Sequence, residues 1–421
     1  MAAHVGSSAP PSIPGIQLGK EDSDELKKAV AGLLERDNLR FPGAQPVSFA
    51  RQHLAELQHR EYFLCEKTDG IRCLMYLTYR DTGIPDPAVE PVTILIDRKN
   101  NYYDTQTPIR FPYHGDFQNP QMFLYGTILD GELVNDQTPD GGRQLIFYIF
   151  DCLAVDETNM TTKTLDKRLG YMQERLIKPW KKYMAWSKTG PQQDPFLVKE
   201  KQFHSAYNIA NLFDNVLPNL KHGNDGLIFT CKTTRYVFGT DAGILKWKPP
   251  HENTIDFRLR LGEFPLYDPE DGEEGPLPDY DAMPDRFELH VNHNKNDYRH
   301  FADLSVTPEE WSMLKSLNQR LDGRIIECYR SAPDGHWRFK KDDDGTPRWR
   351  DDKTDANHIR TVDSVLESIN EPVTEEDLRR AEQKIKEAVY RLRKEEAAYQ
   401  QGQMDNAKKR KLSEANGARP N

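Results

Sequence analysis

Lys67-Thr68-Asp69-Gly70-Ile71-Arg72 stands directly before the strand-like run Cys73 to Tyr79 and constrains this chain more than any other segment. A lysine held just outside a strand end is placed to act as an amine nucleophile, and the glycine lets backbone approach a phosphorylated ligand closely. Three fixed positions, K-x-D-G, occur by accident in about one chain of this length in ten, so alone they read as a surface turn. Four further patterns follow, in an order that one chemistry needs. They are Leu129-Asp130-Gly131-Glu132-Leu133-Val134, Phe147-Tyr148-Ile149-Phe150-Asp151, Asp225-Gly226-Leu227-Ile228-Phe229 and Leu245-Lys246-Trp247-Lys248-Pro249-Pro250. The series points to nucleotidyl transfer.

A length of 421 residues allows two or three domains. The formal charge of -10 argues against a generally basic nucleic-acid coat, so RNA contact falls to local basic surface. The five cysteines (Cys65, Cys73, Cys152, Cys231, Cys328) lie in apolar runs without C-x-x-C spacing. They read as core thiols in a reducing compartment, and no structural metal is expected. The N-terminus lacks an apolar signal-like region and no stretch approaches a membrane span, so a soluble, intracellular protein with no membrane partner is expected.

Residues 1–19, rich in Ala, Ser, Pro and Gly, are expected to be disordered. An amphipathic helix is expected from Asp22, with Leu26, Ala29, Val30, Leu33 and Leu34 on one face. Strand-like runs at 73–79, 92–97, 123–129, 145–151 and 227–230, with helical stretches at 163–187 and 205–217, make an α+β pattern over a first domain, 20–249. After an acidic, proline-rich loop at 264–285, short strands surround one helix near Pro308 to Leu317. This suits a small barrel of the oligonucleotide/oligosaccharide-binding type over 250–365. A helix with Leu378, Ala381, Ile385, Val389 and Leu392 on its apolar face is expected within 366–397, docking on a domain. A disordered basic tail is expected over 398–421, where Ala407 to Leu412 reads as a nuclear-import address.

A lysine must be neutral to attack phosphorus, and an ordinary lysine near pKa 10.4 is free amine only about one part in a few thousand at pH 7. Arg72, Lys246, Lys248 and a divalent cation, as like charges, favour the amine at Lys67 and also neutralise phosphates. Strand alternation sends Lys246 and Lys248 to one face and Trp247 to the other. Glu132 and Asp225, each beside a glycine at a strand edge, suit metal or ribose contact; a turn acid is the plain alternative for Glu132. Phe150 at a strand end is placed to stack on a purine, or simply packs in a core.

These motifs resemble those of eukaryotic mRNA guanylyltransferases, the RNA capping branch of the covalent nucleotidyltransferases, and most closely the fungal single-activity type. The resemblance runs from about Phe41 to Ile369 and adds Phe41 to Val47, Ile96-Asp97-Arg98, Thr254-Ile255-Asp256-Phe257 and Arg350 to Lys353. It implies a nucleotidyltransferase domain of antiparallel sheets with helices, plus the barrel domain. It implies that Lys67 carries GMP from GTP, with Mg2+ or Mn2+, to the 5′-diphosphate end of nascent pre-mRNA. Arg72 and Arg98 would grip the ribose, Phe150 stack on guanine, and Lys201 read the guanine oxygen, with Lys199 competing for that role. Glu132 and Asp225 would serve ribose or metal, and Lys246 and Lys248 the α-phosphate. Arg350, Asp352 and Lys353 would orient the leaving pyrophosphate. Phe339 to Pro347, with Asp342, Asp343 and Asp344, looks inserted before that last motif, and Trp337-Arg338-Phe339-Lys340 competes for its register; Asn357 favours the later one.

No His-Cys-x5-Arg signature is present and only 66 residues precede Lys67, so a separate RNA triphosphatase subunit is the expected partner. The resemblance also implies docking on the phosphorylated tail of RNA polymerase II and nuclear residence. An ATP-dependent polynucleotide ligase shares the lysine chemistry but adenylates it. A non-catalytic RNA-binding scaffold would keep the fold alone.

Overall fold

The arginine-bearing strand Ile71–Asp81 is buried without a break from Cys73 to Leu77, as a strand covered on both faces must be. In the computed structural model the described residues are all except 1–10, 84–88, 114–115, 117, 120–121, 188–193, 270–274, 332–333, 343 and 418–421; side chains are not described for 407–417. Contacts divide the chain into two units, one comprising Met1–Val47, Gln52–Trp247 and Glu376–Asn421, the other Ser48–Arg51 and Lys248–Glu375.

Two sheets build the first unit. In the larger, Ile71–Asp81 pairs antiparallel with Val89–Asp97 on one side and Thr127–Gln137 on the other. Arg143–Val155 follows antiparallel, and Leu197–Glu200 then joins parallel to it. The smaller sheet has five strands in the order His204–Ser205, Tyr62–Thr68, Asn224–Cys231, Gly239–Trp247, Ala44–Ser48. Tyr62–Thr68, the lysine strand, thus belongs to one sheet and the arginine strand to the other. Only Asp69 and Gly70 join them. A Cβ on Gly70 would lie 2.3 Å from the Leu133 carbonyl oxygen, so this crossing accepts no side chain.

The expected strands are all present, but the run read as 123–129 begins at Thr127 and continues to Gln137. Asp130-Gly131-Glu132 is therefore strand interior rather than a strand edge. Gly131 makes this possible, because a Cβ there would meet the Phe147 ring at 2.4 Å. Phe150 likewise sits within Arg143–Val155, not at its end. The N-terminal helix spans Lys20–Leu33 and packs Val30, with Leu34 beyond it, against Tyr76, Ile94 and Tyr102. The C-terminal helix spans Glu375–Gly417, so the chain stays helical where a disordered tail from 398 was expected. Its early turns are anchored on the first unit: Leu378, Ile385 and Val389 are buried, Arg379 pairs with Asp214, and Arg393 with Glu61. The side chains of the basic cluster after Ala407 lie outside the described residues.

The second unit is a five-stranded antiparallel sheet in the order Asp297–Asp303, Phe287–Asn294, Ile255–Leu261, Ile325–Arg330, Trp337–Phe339. A parallel bridge between Leu304 and Trp337 closes it. Helix Pro308–Ser316, started by a Thr307/Glu310 capping box, bridges its third and fourth strands in chain order. That is the order of an oligonucleotide/oligosaccharide-binding barrel. Phe257, Leu259, Leu289, Trp311 and Trp337 fill it. The apparent insertion is a hairpin: Lys341 bridges Pro347, and the Asp342 amide donates to the Thr346 carbonyl. Asp343 lies outside the described residues. Among the described residues no helix is long and apolar enough to cross a membrane.

Candidate active site

Lys67 is the penultimate residue of its strand and half-buried, with Nζ 2.6 Å from Asp225 Oδ1. The strand carrying Asp225 breaks register here: Thr68 faces Asn224 and Glu66 faces Leu227. Asp225 and Gly226 therefore form a bulge opposite Lys67, which aims the carboxylate at the amine. Beside the cations expected near it, the fold thus gives Lys67 an ion pair with a carboxylate.

Arg72 and Glu132 face one another across the adjoining strands of the larger sheet. The Arg72 guanidinium grips Asp130 with both prongs, at 3.0 and 2.6 Å, donates to the Ala44 carbonyl, and lies 5.4 Å from the Phe150 ring centroid. Tyr236, buried, donates to Asp130 Oδ2 at 2.6 Å and accepts from the Ala44 amide at 2.9 Å. Burial works against the Arg72 cation, but Asp130 and the groups near it more than compensate and hold it charged. Glu132 is pushed above the ordinary carboxyl range by burial, against the pull of Lys201, Lys67 and Arg72. Those four residues and Asp225 thus share one electrostatic neighbourhood. Arg98, just past Val89–Asp97, is exposed, donates to Gln45 Oε1 at 2.9 Å and senses Arg72 and Glu132.

Position 201, not 199, faces this neighbourhood. Lys201 is buried, donates to the Thr68 hydroxyl beside Lys67, and stands 3.3 Å from Glu66 Oε1. Lys199 is 45% exposed and pairs with Asp136 instead. Lys246 pairs in register with Ile228, and Trp247 turns to the opposite face, 3% exposed against Phe213. Lys248 follows directly after that strand.

In the barrel unit Arg350 and Lys353 converge on buried Asp256. Arg350 reaches it at 3.2 Å and also pairs with Asp352 at 2.9 Å. Asn357 clamps the Asp256 backbone from both sides, accepting from its amide at 2.9 Å and donating to its carbonyl at 2.8 Å. Trp337 and Phe339 of the competing register are instead barrel core. Arg338 and Lys340 of that register pair with Asp334 and Glu252, whereas the later register brings Arg350 and Lys353 onto one buried carboxylate, Asp256.

Asp130, Tyr236 and Arg168 were not singled out from sequence as site residues. Asp130 had a signal, a carboxylate two residues before Glu132. Tyr236 had none, because its partner Asp130 is 106 positions away, and Arg168 had none, because no local pattern shows that its helix packs back on Asp151. Arg168 holds Asp151 by two bonds of 2.7 and 2.6 Å, and its guanidinium lies 5.3 Å from the Tyr236 ring centroid.

A strand-end lysine paired with a carboxylate, on a two-sheet unit followed by a small barrel, is the arrangement of a nucleotidyltransferase. Residues 9–250 match the family model for the mRNA capping enzyme catalytic domain, and residues 252–379 that for its C-terminal domain. The mRNA-capping enzyme subunit alpha of Schizosaccharomyces pombe is 44% identical over 91% of this chain and 90% of its own length. The Saccharomyces cerevisiae protein of that name is 34% identical over 90% and 86%. A solved mycobacterial DNA ligase D covers 74% of this chain and 95% of its own at 15% identity, with a TM-score of 0.33. The chain belongs to the mRNA capping enzyme family.

Proposed function

We propose that this chain caps RNA by guanylyl transfer. The Lys67 amine attacks the α-phosphorus of GTP, the bond to pyrophosphate breaks, and a P–N bond to GMP forms. GMP then passes to the 5′-diphosphate end of nascent pre-mRNA to give GpppN. The Lys67–Asp225 contact carries this reading: the Nζ proton must leave as the P–N bond forms, and Asp225 Oδ1 already accepts a hydrogen bond from it. Arg72 and Arg98 hold the ribose, Phe150 stacks on guanine, and Lys201 donates to the guanine oxygen. Lys246 and Lys248 neutralise the α-phosphate, while Arg350, Asp352 and Lys353 orient pyrophosphate.

Among the described residues no three His, Cys, Asp or Glu converge as a resident metal site. Glu132 and Asp225, which sense one another, suit Mg2+ or Mn2+ arriving on the nucleotide phosphates, since such ions take one or two carboxylates and keep phosphate and water ligands. When bound, the cation offsets phosphate charge. A separate RNA triphosphatase subunit, the phosphorylated RNA polymerase II tail and nuclear residence complete the proposal.

Intact-protein mass after exposure to GTP and Mg2+ or Mn2+ tests it. One added GMP is expected, and none on Lys67→Ala. Label taken only from ATP would indicate a ligase, and no adduct from either nucleotide would refute covalent transfer.

A further inference from the structure

Behind the lysine strand lies a buried polar cluster that the proposed transfer leaves unused. Glu66, Asp136 and His222 are 6%, 4% and 5% exposed. The His222 ring lies flat against Tyr148, with centroids 5.2 Å apart and planes 9° apart. Its Nε2 is 4.0 Å from Glu66 Oε1 and its Nδ1 3.9 Å from Asp136 Oδ1, both beyond hydrogen-bond reach. Among the described residues neither ring nitrogen has a hydrogen-bond partner, and neither does Asp136 Oδ1.

The same Glu66 Oε1 stands 3.3 Å from Lys201 Nζ. Glu66 is therefore placed between two bases, one charged and already in contact, the other a neutral ring about an ångström too far away. Buried polar atoms are normally satisfied, and leaving them unmet is costly. An imidazole set between two carboxylates gains both contacts by taking up a proton. The imidazolium would then draw Glu66 away from Lys201.

We propose that His222 is a positioning residue for Lys201: neutral, it leaves Glu66 to hold the lysine in the base-reading position; protonated, it takes Glu66, and recognition of the 6-oxo group of guanine weakens. The proposal rests on the reading that Lys201 donates to that oxygen. The groups facing His222 are Glu66 from the lysine strand, Asp136 from Thr127–Gln137, Tyr148 from Arg143–Val155, and Lys199 and Lys201 from the end of Leu197–Glu200 and just beyond it. Burial drives the imidazole below its ordinary 6.5, with Asp136 and Glu66 opposing and Lys201 and Lys199 assisting. The neutral form therefore holds at pH 7, and the change comes below pH 6.5.

GTP and 2-aminopurine riboside triphosphate both carry the 2-amino group and the same phosphates, and differ at the 6-oxo group and the N1 hydrogen that accompanies it. The ratio of their efficiencies in forming the covalent adduct isolates the base end of the site from phosphate titration. In the wild type this preference should fall progressively as the pH drops from about 8 through the region below 6.5, toward a limit on the order of tenfold in the fully protonated form, the worth of a hydrogen bond to a charged group. His222→Phe, which keeps the flat packing on Tyr148, and His222→Gln, which keeps polarity, should both show a pH-flat preference. A wild-type preference that does not change with pH, or variants that retain the wild-type slope, overturns the proposal. Lys201→Ala separates the two layers. If it leaves the preference intact at pH 8, the Lys201 reading is wrong. If it lowers the preference while the His222 variants titrate like the wild type, that reading stands and the role of His222 falls.

Discussion

Asp225 Oδ1 comes within 2.6 Å of Lys67 Nζ because its strand carries one residue too many opposite the lysine. Gly226 absorbs the distortion at φ +145°, a conformation that side chains disfavour. The arrangement trades a regular ladder for an aimed carboxylate. Lys67→Ala and Lys67→Arg should both form no adduct, since a guanidinium stays protonated and cannot act as the nucleophile. Asp225→Asn keeps the shape and loses the charge, so single-turnover adduct formation should slow by about 10²-fold. Both side chains are about a quarter exposed, 24% and 23%, and such a pair contributes about 0–1 kcal/mol to stability. The urea midpoint should barely move. A fully active Asp225→Asn would remove this carboxylate from the mechanism.

Glu132 should show opposite signs in stability and activity. Burial raises its folded-state pKa above the ordinary 4.5, in spite of Lys201, Lys67 and Arg72. An acid with a raised folded pKa binds its proton more tightly when folded, so its contribution to stability falls as pH rises through the window above 4.5. Near neutrality the ionised carboxylate opposes folding. Glu132→Gln should therefore raise the thermal midpoint at pH 7.5 and slow adduct formation. Thermal melts across pH, run beside adduct kinetics, check both; a midpoint lowered at pH 7.5 would contradict the assignment.

Adjacent residues on one strand should divide function from stability. Trp247 is 3% exposed and packs edge-on against Phe213, so Trp247→Ala should cost about 3–5 kcal/mol. Lys246, half-buried on the other face, should lose most of its adduct-forming rate as Lys246→Ala while its denaturation midpoint stays close to wild type. Equal destabilisation by both changes would mean that alternation does not separate phosphate contact from core here.

Local grammar made much of this site legible. Gly70 read as backbone that permits close approach and Gly226 as a strand edge, and the Lys246-Trp247-Lys248 alternation set Trp247 on the face opposite the lysines. Aromatic and β-branched runs located the strands, and the capped helix between short strands located the barrel. Sequence failed where a partner was remote. Asp130-Gly131-Glu132 reads as a strand edge because nothing local shows that Phe147 needs the space over Gly131. Tyr236 is bound to Asp130, 106 positions away, and Arg168, on the helix Leu165–Met172, to Asp151 on the preceding long strand. The tail beyond 398 read as disordered from its polarity, yet it continues a helix whose earlier turns are anchored by Leu378 and Ile385.

The Asp151–Arg168 pair tests whether the charges behind the site stabilise the fold or fix its geometry. Their side chains are 9% and 3% exposed, and a pair so deeply buried loses much of its attraction to desolvation. Burial pushes Asp151 above the usual carboxylate range although Arg168 pulls it down, which is the mark of that penalty. Arg168→Met alone leaves a buried carboxylate uncompensated and should cost about 3–5 kcal/mol. Asp151→Leu combined with Arg168→Met removes both charges and should recover most of that loss. Adduct formation should not recover with it. Phe150 adjoins Asp151, and Arg168 lies over Tyr236, which holds the Asp130 carboxylate gripped by Arg72. Losing the pair therefore loosens two proposed nucleotide contacts, and the KM for GTP should stay raised in the double variant. Denaturant midpoints for the four proteins of the cycle, set beside GTP titrations, decide the matter. A double variant as unstable as Arg168→Met would make the pair a net source of folding energy, and one with a wild-type KM would leave it no part in placing the nucleotide.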